Sequence, residues 1–234
     1  MAAYVFCSVY TLTVGSIALI LALIFRWPSV LFAAADFAVH AALAIVGLRY
    51  EVEGAEHIDP RRASVYCVNH SSNVEPPIVF AALSGLFPRM RILYKAELRK
   101  LPILVRAFDL AGFIPLERDN RDQSLPAIER AADALRDGNS FLIFPEGTRS
   151  RTGELLPFKK GGFILALKGH APVVPVAIKG ARDAMKKGSL IIRPVRVTLR
   201  FGTPIETVGL DLEDRDDLIA GARSAVAALL LEED

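Results

Sequence analysis

The stretch SVYCVNHSSNVEPPIVF, residues 64–80, decides how the rest of the chain is read. It opens as an apolar run of strand type, turns polar from Asn69 to Asn73, and goes apolar again behind two prolines. Pro76 and Pro77 are tolerated where a helix begins, because first-turn N–H groups have no partner within the helix. Strand, short polar turn and helix make half of a βα unit. The pattern recurs downstream, with strand-like runs at 64–68, 91–95, 112–116, 140–144 and 173–178 and helical stretches at 77–86, 96–108, 124–138 and 161–170. In the third helix Leu125, Ile128, Ala132 and Leu135 recur at three- and four-residue steps, and Asp137-Gly138-Asn139 forms a stop. The stretch 190–205 adds further β structure, and a helix near 213–231 ends the chain. Such alternation predicts an α/β fold, a mostly parallel sheet flanked by helices.

Upstream the composition changes. The chain of 234 residues is 52% hydrophobic, and the excess is localised: between Met1 and Phe25 there is no Asp, Glu, Lys, Arg or His. A helix of that length crosses a bilayer of about 30 Å. A signal peptide would need a basic leader, and no Lys or Arg precedes Arg26, so the segment reads as a retained membrane helix. A second apolar stretch, 30–48, carries Asp36 and His40 four apart on one helical face. Charge in mid-bilayer is costly, so this stretch is expected at the interface or folded back on the first, with a plain second span as the alternative. The predicted organisation is membrane-associated helices over 1–48 and an α/β domain over 49–234. Arg26, Arg49, Arg61 and Arg62 and the cation-rich remainder put that domain on the cytoplasmic face of the membrane. The net charge of +2 gives no case for nucleic acid. Cys7 and Cys67 have no ligand spacing to each other, and His40, His57 and His170 have none either, so no metal is expected.

Polar phrases fall beyond the ends of the strands, where α/β sheets collect their chemistry. His70 and Glu75 are five apart, about 140° out of register on a helix. A turn between strand and helix would bring the carboxylate back onto the imidazole, fix its tautomer and leave the other nitrogen as a general base. The plain structural alternative is a strand-end histidine and a carboxylate favoured at a helix start. FPEGTRS, 144–150, also follows a strand. Glu146 can accept from hydroxyls, Gly147 allows close backbone approach, Thr148 brings a hydroxyl, and Arg149 offers a fork suited to phosphate. Ser71 and Ser72 read as turn residues and Asn69 as a loop-positioning or carbonyl-polarising one.

These phrases resemble the four ordered blocks of the glycerolipid acyltransferase family, over roughly residues 50–205. NHSSNVE matches the first block, GFIPLERD the second, FPEGTRS the third and VVPVAI the fourth. The resemblance implies a membrane-bound O-acyltransferase that moves a fatty acyl group from acyl-CoA or acyl-carrier protein to the free hydroxyl of lysophosphatidic acid. Glycerol-3-phosphate or another lysophospholipid is the alternative acceptor. It makes His70 the base and Glu75 its partner. Arg118 and Arg149, with Lys95 as a third cation, grip the acceptor phosphate, while Glu146, Gly147 and Thr148 meet its glycerol part. Lys159 and Lys160 read better as a solvated helix start. No cofactor is implied beyond the acyl donor, and no acyl-enzyme, since no G-x-S-x-G phrase occurs. The implied partners are membrane lipid, a lysophospholipid acceptor and the donor. In one place the chain departs from the family: Glu75 stands where Asp is usual. That leaves an inactive, membrane-anchored relative as the reading from another class, beside a metal hydrolase.

Overall fold

The computed structural model of the chain describes residues 1–117 and 121–232, and within these it leaves the side chains of 102, 103 and 121–123 undescribed. Arg118, the second-block cation, therefore lies outside the described residues.

Helix α1 (Ala2–Tyr10) continues through a π-helical turn, Thr11–Gly15, into α2 (Ser16–Phe25), and α3 (Pro28–Val46) returns along it. There follow β1 (Arg49–Glu53), β2 (Val65–Val68), α4 (Glu75–Ala82), β3 (Met90–Lys95), α5 (Pro102–Leu110), β4 (Ile114–Leu116) and α6 (Arg121–Arg136). The chain then runs through β5 (Ser140–Ile143), α7 (Gly161–Gly169), β6 (Val173–Lys179), α8 (Ala181–Ala184), β7 (Arg196–Phe201) and α9 (Arg215–Leu231). The seven strands form one sheet in the order β1-β7-β6-β2-β5-β3-β4, parallel throughout except where β7 runs antiparallel to β6.

Both faces of this sheet are covered, which is why its central strands read as unbroken apolar runs. Alternate side chains divide between two cores. Tyr66, Val68, Leu142, Val174 and Val176 pack with residues of α3 and α4 on one side. Val65, Cys67, Phe141, Ile143 and Val173 pack with α6, α7 and α9 on the other. Helix α7 lies very close to the sheet: a Cβ on Gly162 would fall 2.3 Å from Cδ1 of Ile143.

Three elements differ from the sequence reading. The stretch 96–108 is not one helix but a 3-10 turn, Ala96–Lys100, followed by α5, because Pro102 forces Leu101 into an extended conformation (φ −100°, ψ 96°). Strand β1, RYEVE, is not among the strand-like runs read from sequence; it is a short edge strand in which Tyr50 and Val52 alternate with charged residues and little is buried. Of 190–205 only Arg196–Phe201 is a strand, and the residues before it form a loop.

The N-terminal helices fold back as a hairpin, reversed at Arg26, whose φ of 53° is left-handed. The hydroxyl of Tyr10 donates to the Ala34 carbonyl at 3.1 Å. Asp36 and His40 do share a face: the His40 ring meets the Asp36 carbonyl at 2.9 Å and the Tyr50 hydroxyl at 3.2 Å. The hairpin is docked sideways onto the α/β domain. Phe32, in the first turns of α3, sits among Phe80, Phe87 and Phe113 with ring centroids 4.9–6.3 Å away, and Leu43, near its end, enters the core beside α4.

Candidate functional site

Register brings the two polar phrases together. Cys67 of β2 pairs with Ile143 of β5, so three residues further on His70 and Glu146 leave adjacent parallel strands at the same height. Glu146 then clasps the histidine by its main chain: Oε1 accepts from the His70 N–H at 2.6 Å, and Oε2 accepts from the Leu156 N–H at 3.0 Å. The Ser150 N–H closes the clasp by donating to the His70 carbonyl at 2.7 Å. On the other flank Asn69 extends the ladder to β6, exchanging two bonds with the backbone of Ile178 at 2.7 and 3.1 Å. The Ser72 hydroxyl donates to the Met185 carbonyl at 2.7 Å. Asn69 is thus a loop-positioning residue here, and Ser72 bonds backbone as expected of a turn.

Within this frame the short turn wraps as the sequence predicts, and α4 opens at Glu75 with the two prolines in its first turn. Oε2 of Glu75 lies 2.6 Å from Nδ1 of His70. The carboxylate is fully buried (0% exposed), where an unpaired charge would be costly. It also accepts from the Ser71 hydroxyl at 2.6 Å and from the Ser71 N–H at 2.9 and 3.0 Å. The extra methylene of Glu relative to Asp is therefore taken up by the turn. An ionised carboxylate only accepts, so Nδ1 carries a proton, and in the neutral ring Nε2 then presents a lone pair. Nε2 has no protein partner among the described residues, and the side chain keeps 16% of its surface exposed. Phe144 backs the imidazole at a centroid distance of 4.4 Å.

The remaining candidates are placed less uniformly. Glu146 is buried and both its oxygens are engaged by backbone N–H groups, so its geometry is that of a positioning residue and not of a group facing glycerol. Burial raises its pKa above the ordinary value of 4.5, against the lowering effect of those two N–H donors. Gly147 is left-handed (φ +68°), and a Cβ there would fall 2.8 Å from Cε of Lys159, whose stem lies over it. Thr148 is exposed and Arg149 half-buried, and the Arg149 guanidinium has no ionic partner among the described residues. Lys95 leaves β3 at the same edge of the sheet but forms an ion pair with Glu97 at 2.6 Å.

One cation escaped the sequence reading. Lys187, in the loop after α8, donates to the Arg149 carbonyl at 2.8 Å and to the Thr148 hydroxyl at 3.3 Å. No spacing rule links it to the third block, because β6 intervenes. The other histidines are engaged elsewhere: His57 meets the Phe201 carbonyl at 2.8 Å, and His170 ends α7 with a φ of 50°. No group of three or more His, Cys, Asp or Glu among the described residues has metal-binding geometry.

An apolar cavity of about 650 Å³ lies between the hairpin and the domain, lined by Leu19, Phe32, Phe80, Leu104 and Phe108 among others. None of the described candidate site residues lines it. Phe80 connects the two regions, five residues and about 7.5 Å along α4 from Glu75.

Comparison with known proteins is consistent across methods. The Acyltransferase family model matches residues 49–179. A 1-acyl-sn-glycerol-3-phosphate acyltransferase of Limnanthes douglasii is 32% identical over 207 residues, covering 86% of this chain and 72% of the relative. The alpha form from Mus musculus is 30% identical over 190 residues, covering 80% and 66%. The crystal structure of the 1-acyl-sn-glycerophosphate (LPA) acyltransferase PlsC from Thermotoga maritima superposes with a TM-score of 0.80 at 26% identity, covering 99% of this chain and 95% of that one.

Proposed function

The chain belongs to the acyltransferase family, and on that premise we propose that it esterifies the free hydroxyl of lysophosphatidic acid with a fatty acyl group drawn from a CoA or carrier-protein thioester. The observation that carries the mechanism is the 2.6 Å contact between His70 Nδ1 and the buried Glu75 carboxylate, with Nε2 left open. Nε2 takes the proton of the acceptor hydroxyl as its oxygen attacks the thioester carbonyl. The C–O bond forms, the C–S bond breaks, and the imidazolium returns the proton to the departing thiolate. Glu75 holds the ring in the orientation that aims Nε2 at the acceptor hydroxyl. The carboxylate's full set of donors supports an active enzyme over a disabled relative.

Arg149 and Lys187 supply cations for the acceptor phosphate, with Lys95 and Arg118 as further candidates. The apolar cavity offers an acyl chain a place beside the hairpin. The attachment of α3 to the domain at both Phe32 and Leu43 supports a hairpin that enters the bilayer from one side, and the cations flanking the apolar segments support a domain on the cytoplasmic face. The outward faces of α1 and α2, with Val5, Leu12, Ile20 and Ile24 more than half exposed, support lipid contact.

The test is thiol release from oleoyl-CoA and from oleoyl-carrier protein by detergent-purified protein, with and without lysophosphatidic acid. Release that requires the acceptor and is lost in His70→Ala is expected. Release indifferent to the acceptor, or undiminished in His70→Ala, would overturn the assignment.

A further inference from the structure

We propose that the 186–193 loop is a second lipid-contacting element, which seats Leu190 and Ile191 in an anionic bilayer surface beside the hairpin. The proposal rests on the membrane reading given above and adds a contact made by the α/β domain itself.

Leu190 and Ile191 are 76% and 67% exposed, the only adjacent pair of large exposed hydrophobic residues among the described residues outside the N-terminal helices. A slack loop would explain this cheaply, but the loop is held at several points. The Arg193 N–H donates to the Ala184 carbonyl at 2.8 Å, closing its base. Ser189 N–H turns back to the Lys186 carbonyl at 3.0 Å, and the Ser189 hydroxyl accepts from the Ile191 N–H at 3.0 Å. Ile192 and Val195 pack into the core beneath α3. With its neighbours so fixed, the fold turns Ile192 inward and holds the two preceding residues out.

Two features say what covers them. The first is charge: no Asp or Glu occurs between Asp183 and Glu206, while the loop itself carries Lys186, Lys187 and Arg193; of the cations beyond it, Arg196 pairs with Glu51 and Arg200 is buried against Glu53. Lys186 and Arg193 are exposed and make no ion pair among the described residues. Cations around an apolar tip suit an anionic lipid surface, which takes both. The second is position. Strand β6 ends at this edge of the sheet, and β7 and β1 both start from it, so the end of α3, the loop and the His70 turn share one edge. Pro194 lies so near Gly47, the cap of α3, that a Cβ there would be 3.2 Å away, and the Arg49 N–H donates to the Val195 carbonyl at 3.2 Å. The loop thus continues the apolar surface of the hairpin. Its foot reaches the site, since Met185 accepts from Ser72 and Lys187 donates to Thr148 and Arg149. A bilayer contact here presses the reactive edge against the interface.

The experiment uses the full chain in a Cys7→Ser background, where the remaining Cys67 is buried. An environment-sensitive fluorophore is attached at Ile191→Cys, or at Val208→Cys, a 73% exposed residue beyond the far end of β7. Trp27, the single tryptophan, reports on the hairpin independently. On vesicles of phosphatidylcholine with phosphatidylglycerol, the label at 191 is expected to shift to shorter wavelength and be quenched by brominated acyl chains. The label at 208 keeps its aqueous emission. A response of Trp27 without one at 191 overturns the loop contact and leaves the hairpin in the membrane. Silence from both overturns the loop together with the membrane reading. An equal shift on phosphatidylcholine alone overturns the anionic preference. A concentration-dependent shift without vesicles overturns lipid as the occupant in favour of a second copy of the chain.

Discussion

Shortening Glu75 to Asp withdraws its carboxylate by one methylene from a turn that holds it with four donor contacts, including the 2.6 Å one to His70. Misplacement on that scale lowers rates by roughly ten- to a hundredfold. Glu75→Asp is therefore expected to reduce kcat within that range at nearly constant KM, and an undiminished kcat would show that the turn adapts. Lys187→Met is expected to raise the acceptor KM several-fold with kcat little changed. A lowered melting temperature with an unmoved KM would reduce Lys187 to a loop tie. Glu146 gives a pH signature. Its folded pKa is raised above the unfolded 4.5, so folding takes up protons just above that pH, and its favourable contribution fades as pH rises through the folded value. Glu146→Gln removes the dependence, and unfolding free energy measured against pH above 4.5 should fall less steeply than in the parent. At this scale the sequence was readable where residues are neighbours. His70 and Glu75 needed only a turn and a helix start between them. The engagement of Glu146 by the His70 main chain depends on β2 and β5 being adjacent and in register, which no local pattern carries.

Among the elements, the helices and central strands were legible from periodicity and from Pro and Gly, and the misreadings have local causes. Pro102 interrupts a helix whose apolar residues continue on either side of it. β1 is a short edge strand in which Tyr50 and Val52 alternate with charged residues, and its pairing with β7 is what makes it a strand. The loop before β7 reads as strand because apolar residues dominate it, though two of them face outward. The close seating of α7 is likewise invisible without β5 beside it. Gly162→Ala forces a methyl group against Ile143, and overpacking of this kind costs about 1–3 kcal/mol. Thermal unfolding should show a lowered midpoint, while an unchanged one would mean that the Ile143 side chain rotates away freely.

For the molecule as a whole, the sequence separated an apolar N-terminal segment from an α/β domain but gave no sign of how they join. The joint is aromatic and lateral, Phe32 among Phe80, Phe87 and Phe113. Phe32→Ala removes a buried side chain whose loss costs about 3–5 kcal/mol in a packed core. Hydrogen exchange should then quicken along α3 and leave β2 and β5 protected; equal acceleration in the sheet would mean that the hairpin and domain unfold as one. The sideways docking also governs how turnover must be counted. On the proposed reading, with the hairpin seated in one leaflet, the enzyme meets its acceptor by lateral diffusion in two dimensions. Its rate then follows the mole fraction of acceptor among the surrounding lipids, and diluting that surface with inert lipid slows it even when the amount of acceptor per volume is unchanged.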